Sequence, residues 1–158
     1  MHIKEIKSVI NVCQPDELAE EFLKLIDMAK EATSRSYAPY SKFCVGAAVL
    51  LSDGKMLPGC NQENAAFGVT ICAERTALFA AGAQFPDLPI VAIAIAAQNG
   101  KGFTEEPVTP CGSCRQAMIE TEARSGRKLR ILLYGTRCVY LIDGVSNLMP
   151  LSFSDEQL

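Results

Sequence analysis

At 158 residues the chain is the size of one domain with a core of its own. Hydrophobic residues make up 49% and charged residues 21%, an ordinary balance for a globular protein. The 15 Lys and Arg against 18 Asp and Glu leave a net charge of −3, which gives no general pull toward nucleic acid or an anionic membrane. A small-molecule partner is the class that remains.

The first dozen residues alternate charged and apolar types and contain no continuous apolar core of a secretory signal. Residues 1–15 read as a lead-in with room for a short strand or turn, and residues 16–158 as a single domain. From Pro15 an amphipathic helix is expected, running to near Ser34, with Leu18, Phe22, Leu25, Ile26 and Ala29 as its core stripe. A loop containing Pro39 follows, then two strands over residues 44–51 and 55–61, joined at Asp53-Gly54, a pair that favours a hairpin. Pro58 places the second of these strands at an edge or at a bulge. An alanine-rich helix opens at Cys72 and is expected to end at Gly82, a residue suited to a C-terminal cap.

Residues 90–97 form an unbroken apolar run, too short to span a bilayer and suited to a strand buried on both faces. A second helix starts at Pro-Cys-Gly-Ser-Cys, residues 110–114, and strands are expected at residues 129–134 and 138–142. No repeat or low-complexity segment is present. Strands alternating with helices in this order give a three-layer α/β/α domain around a five-stranded mixed sheet. The helix between the strands starting at Ile90 and Leu129 supplies the crossover that a parallel pair requires.

Seven cysteines, an odd count outside any small disulfide framework, read as reduced thiols in a cytoplasm, some of them used for metal or catalysis. Cys111 and Cys114 are spaced i, i+3 and share a face at a helix start. Alone, that pair is also compatible with a redox dithiol or half of a zinc ribbon, although no second C-x-x-C is present. Cys72, at the start of the other helix, completes a set of three sulfurs, and three protein ligands leave a fourth position for water. Glu74 lies two residues on and can share that site only if the metal sits off the helix end, where the positive dipole also favours thiolates. Three thiolates leave a zinc site with about one negative charge. Arg75 is the cation placed to offset it, unless it is an ordinary surface residue of the helix. His2, the single histidine, lies in the lead-in and is a poor ligand candidate.

C-A-E followed by P-C-x-x-C resembles the Cys₃ form of the zinc deaminase signature. The surrounding text, Y-A-P-Y-S-K-F-C-V-G-A-A-V, G-C-N-Q-E-N-A-A-F-G-V-T-I-C-A-E-R-T-A, P-C-G-S-C-R-Q and L-M-P-L-S-F, is similar to the short-chain cytidine deaminases of nucleoside salvage, from about residue 16 onward. The resemblance implies one zinc per subunit on Cys72, Cys111 and Cys114, Glu74 as proton carrier to N3 and to the leaving ammonia, and Arg75 against the thiolates. It implies ribose contacts for Asn61 and Glu63, where the residues alone read as a polar turn. It further implies substrate contacts for Ala73, for Phe43, otherwise a core residue, and for Phe153, otherwise a tail anchor. Phe67 stands where relatives often have tyrosine, so an aromatic contact survives without the hydroxyl; Phe67 and Phe153 are expected at a neighbouring subunit's site. Cys44 reads as a neutral strand substitution, and Cys13, Cys60 and Cys138 as structural thiols.

The implied activity is hydrolytic deamination of cytidine and 2′-deoxycytidine in pyrimidine salvage, by a cytoplasmic homotetramer with shared sites and without nucleic acid or membrane partners. A deaminase of another aminopyrimidine substrate, such as a nucleoside antibiotic or a nucleic-acid base, is the alternative within the same chemistry. A non-catalytic zinc or redox domain is the alternative outside it.

Overall fold

In the computed structural model, which describes residues 1–154 and 157–158, the architecture follows from two hydrophobic periodicities. The expected hairpin is formed by β2 (Cys44–Leu51) and β3 (Met56–Cys60), with Gly54 at φ +89° in its turn. The apolar run becomes β4 (Ile90–Asn99), and the last two expected strands are β6 (Arg130–Tyr134) and β7 (Val139–Asp143). β4 and β6 are parallel, while β2, β3 and β7 join antiparallel to their neighbours.

The sheet holds seven strands rather than the five expected. β1 (Asn11–Cys13), from the lead-in, pairs with β7, and β5 (Gly102–Phe103) pairs with the end of β4. Neither is long enough to show a period-two pattern, so neither stands out in the sequence. The order is β1-β7-β6-β4-β2-β3, with β5 beside β4. Pro58 therefore sits on an edge strand, where its missing N–H leaves no ladder bond unmade.

The helix expected from Pro15 to Ser34 is divided. A 3₁₀ turn at Pro15–Glu17 precedes α1 (Glu20–Ala32), which tightens into a second 3₁₀ turn at Thr33–Arg35. α1 covers one sheet face with Phe22, Leu25, Ile26 and Ala29. α2 (Ala73–Gln84) and α3 (Gly112–Ser125) cover the other.

Alternation along β4 sorts its side chains. Ala92, Ala94 and Ala96 face the α1 layer, whereas Ile93 and Ile95 face the α2 and α3 layer. The small residues on the α1 side let that helix approach closely. A Cβ on Gly46 of β2 would lie 2.0 Å from the carbonyl oxygen of Ala29. Gly59 does the same against α2, where a Cβ would fall 2.5 Å from Ala77 N and 2.7 Å from Ala73 O.

α2 passes through Gly82 and ends at Gln84, so that glycine is not the cap expected of it. Pro86 supplies the stop, because the residue before a proline is disfavoured in helical conformation, and Phe85 there has φ −136° and ψ 63°.

Candidate metal and catalytic site

Two helix starts meet on one sheet face. Cys72 is the N-cap residue of α2, Cys111 is the N-cap residue of α3, and Cys114 lies in the first turn of α3. The sulfurs of Cys72 and Cys111 are 3.8 Å apart, those of Cys111 and Cys114 3.5 Å, and all three lie within 4.8 Å of one another. An ion about 2.3 Å from each sulfur in tetrahedral geometry puts neighbouring sulfurs about 3.8 Å apart. The triangle therefore matches three corners of one zinc tetrahedron, and the thiols are free of disulfides. Cys114 is buried, Cys72 half-buried and Cys111 exposed, so the set opens outward on the Cys111 side.

The electrostatics favour thiolate at the centre. The neighbouring Cys114 thiol, together with Arg75, holds Cys72 down to about 5 against the opposing effect of burial. Cys114 is pushed far up in return, because it keeps the shared proton and is itself buried. A divalent cation in the triangle takes over the role of that proton. Arg75 Nη2 stands 3.8 Å from Cys72 Sγ and 3.5 Å from the carbonyl oxygen of Thr70, and its contact with Cys72 raises its own pKa. Its buried Nε has no hydrogen-bond partner among the described residues.

Glu74, at the second position of α2, is 4% exposed. Burial raises its pKa above the ordinary carboxylate value, and the nearby Cys72 charge adds to the rise. A carboxyl held toward neutrality beside a set of metal-binding sulfurs is suited to taking and returning protons. Ala73 is fully buried through its methyl group. Any ligand contact it makes is through its backbone N–H, which has no acceptor within the helix.

The residues expected around a sugar lie on the approach to α2. Residues 61–63 are zipped to both flanks: Tyr37 N donates to Asn61 O (3.0 Å), Glu63 N to Tyr37 O (2.8 Å), and Gln62 and Ile71 exchange bonds of 3.0 and 3.1 Å. The segment leading to Cys72 and the loop at residues 37–42 are thus one unit. The Asn61 side chain is already engaged: its Oδ1 accepts from Val45 N (2.9 Å) and its Nδ2 donates to Phe43 O (3.0 Å), as a surrogate strand for the start of β2. Glu63 accepts from Tyr40 N at 2.9 Å, from Ser41 N at 3.3 Å and from the Ser41 hydroxyl. The hydroxyl bond is the main cause of its lowered pKa. Phe43, at the entrance to β2, is half-buried.

Phe67 and Phe153 stand apart from the buried set, at 74% and 57% exposed. Phe67 makes an edge-to-face contact with Tyr40 at 5.8 Å between ring centroids. Gln116 Nε2 donates to the carbonyl oxygen of Phe153 (2.9 Å). A groove of about 640 Å³ between α2 and α3 is lined in part by Leu78, Phe79, Leu88, Ala117, Glu120 and Arg124; none of the three cysteines lines it, so it is not the seat of the chemistry.

Arg115 and Gln116 received no role from sequence reasoning. Their one signal was position: they follow Cys114 directly in the P-C-G-S-C-R-Q run.

Residues 19–126 match the family described as the cytidine and deoxycytidylate deaminase zinc-binding region. A cytidine deaminase of Sporosarcina psychrophila is 41% identical over 147 residues, covering 85% of this chain and 93% of the relative. Another, of Halalkalibacterium halodurans, is 50% identical over 96 residues, covering 61% of this chain and 68% of the relative. Among solved structures, the cytidine deaminase of Burkholderia pseudomallei superposes with a TM-score of 0.72 at 42% identity, covering 83% of this chain and 98% of that one. The family match takes in both helix starts that carry the sulfur triangle, and the chain belongs to the zinc-binding cytidine and deoxycytidylate deaminase family.

Proposed function

We propose that the protein catalyses the zinc-dependent hydrolysis of cytidine and 2′-deoxycytidine to uridine and 2′-deoxyuridine, releasing ammonia. The observation that carries this reading is the sulfur triangle of Cys72, Cys111 and Cys114 with the buried Glu74 two residues from its first member. The reaction breaks the bond from C4 to the amino nitrogen and makes a C4–O bond from water, with no change of oxidation state. Cys72, Cys111 and Cys114 would hold the zinc, which would supply the positive charge that activates water for attack.

Glu74 accepts one proton from the attacking water and passes it to N3 of the ring, then takes the second proton from the new C4 hydroxyl and delivers it to the departing ammonia. Its raised pKa suits a group that must hold a proton between steps. Arg75 offsets the excess negative charge of the three sulfurs. Glu63 keeps lone pairs beyond those used by Tyr40 and Ser41 and takes a ribose hydroxyl. Asn61 holds the β2 entrance, and with it Phe43, in place for the base.

The enzyme works as a cytoplasmic homotetramer in pyrimidine salvage, with Phe67 and Phe153 reaching a neighbouring subunit's site. Their exposure in the single chain supports that assignment. The net charge of −3 gives no general pull toward nucleic acid or an anionic membrane, and among the described residues no helix is long and apolar enough to cross a membrane. The test is loss of cytidine absorbance and release of ammonia by the purified protein, before and after chelation and after return of zinc. Turnover that zinc restores supports the reading. A zinc-loaded protein that leaves cytidine and deoxycytidine untouched while turning over cytosine or a single-stranded oligonucleotide refutes it.

A further inference from the structure

Arg115 and Gln116 follow the buried ligand residue Cys114 and hold two other parts of the chain. Arg115 Nε donates to the carbonyl oxygen of Pro110 (2.8 Å), and its Nη1 donates to the carbonyl oxygen of Leu148 (2.6 Å). Pro110 and Leu148 are both buried. Pro110 immediately precedes Cys111, the most exposed of the three sulfurs and the one on the loop side of α3. Gln116 Nε2 donates to the carbonyl oxygen of Phe153. One helical turn thus grips the ligand loop on its near side and the C-terminal segment at two points five residues apart.

We propose that Arg115 and Gln116 are positioning residues: Arg115 fixes Cys111 by tying Pro110 to Leu148, and Gln116 fixes the backbone of the segment that presents Phe153. The inference rests on the deaminase reading given above. A guanidinium serves here because its planar fork reaches two carbonyls at once, which a lysine ammonium on a single flexible stem does not reproduce. Cys111 needs such a brace. Cys114 is held by the core and Cys72 by α2 and Arg75, but Cys111 has solvent on one side. The two clips act on different quantities. Loosening the first frees the metal; loosening the second disorders an aromatic substrate contact without touching the sulfurs.

The experiment measures zinc transfer to an excess of a chromogenic chelator, together with kcat and KM for cytidine, in the zinc-loaded full chain. Arg115→Met and Arg115→Lys are expected to release zinc about tenfold or more faster than wild type, the scale of removing a group that orients a ligand. Gln116→Glu, which keeps the shape but loses the donor, is expected to release zinc at the wild-type rate and to raise KM several-fold with kcat nearly unchanged. Gln116→Lys, which restores a donor, is expected to recover much of that KM. Should Arg115→Met fail to fold, Arg115→Lys decides. Wild-type zinc release by Arg115→Lys, or an unchanged KM in Gln116→Glu, overturns the corresponding clip. A wild type that holds no zinc or leaves cytidine unchanged overturns the deaminase reading instead, so the two failures are distinct.

Discussion

Glu74 occupies a position that a stability argument alone does not explain. A carboxylate 4% exposed at the start of a helix is desolvated, and it lies near a thiolate that opposes its ionisation. A desolvated carboxyl of this kind is suited to proton chemistry, the role proposed for it. Glu74→Gln keeps the volume and removes the titratable proton, so turnover is expected to fall by about 10³-fold while zinc content and melting temperature stay near wild type; substantial retained turnover in steady-state assays removes Glu74 from its role. Glu63 offers a test by pH. Its folded pKa lies below the ordinary value, so its contribution to holding the loop at residues 37–42 is present above the unfolded pKa and is lost as pH falls through the folded one. Melting curves across that range should show wild type more stable than Glu63→Gln near neutrality, with the gap closing in acid; a pH-independent gap contradicts the assignment. The sulfur set of Cys72, Cys111 and Cys114 was legible in the sequence because metal chemistry admits few residue types and the spacing puts them at helix starts. Asn61 was only half legible. Its family resemblance implies a sugar contact, and in the structure its amide also holds the backbone of Phe43 and Val45, a use that amino-acid type does not reveal.

The elements were legible where one residue type settles the matter. Asp53-Gly54 placed the hairpin, and the unbroken apolar run from Ile90 placed the central strand. The end of α2 was misplaced because glycine has two uses. Gly82 stays inside the helix, where an added Cβ would lie 3.4 Å from Arg124 Nη1 on α3, and the stop comes from Pro86. Gly46 and Gly59 carry a constraint invisible to pattern reading, since both are defined by the backbone that passes over them. Gly59→Ala places a methyl against the backbone of Ala73 and Ala77, the turn that carries Glu74. It is expected to lower stability by about 1–3 kcal/mol and to reduce activity more than an equally destabilising change on the α1 side of the sheet. Gly46→Ala, facing Ala29 and Thr33 on the opposite layer, is that control. Denaturant melts paired with kcat/KM measure both, and equal loss of activity at equal loss of stability refutes the coupling of β3 to the site.

At the scale of the whole molecule, one face remains unsatisfied by the single chain. α2 and α3 bury their inner sides on the sheet, but the groove between their outer sides contains Leu78, Leu88 and Ala117, and Phe79 is 56% exposed beside them. Glu120 and Arg124 lie in the same lining, and charges of both signs on one patch allow it to pair with its own copy across a two-fold axis. This face lay beyond sequence reasoning for a physical reason: the α2 stripe of alanines reads the same whether it meets a sheet or another subunit. The orphaned Nε of Arg75 and the exposed rings of Phe67 and Phe153 likewise fit a site finished by a neighbour. Phe79→Glu places a carboxylate in the centre of the groove, away from the cysteines. Light scattering after size exclusion is expected to find wild type at four chain masses and Phe79→Glu at one or two. The variant should keep one zinc per chain and a raised KM for cytidine, since losing the neighbour removes aromatic contacts rather than sulfurs. A fully active wild type running as a monomer rules out the shared site. A dissociated Phe79→Glu with wild-type KM would place Phe67 and Phe153 outside substrate binding altogether.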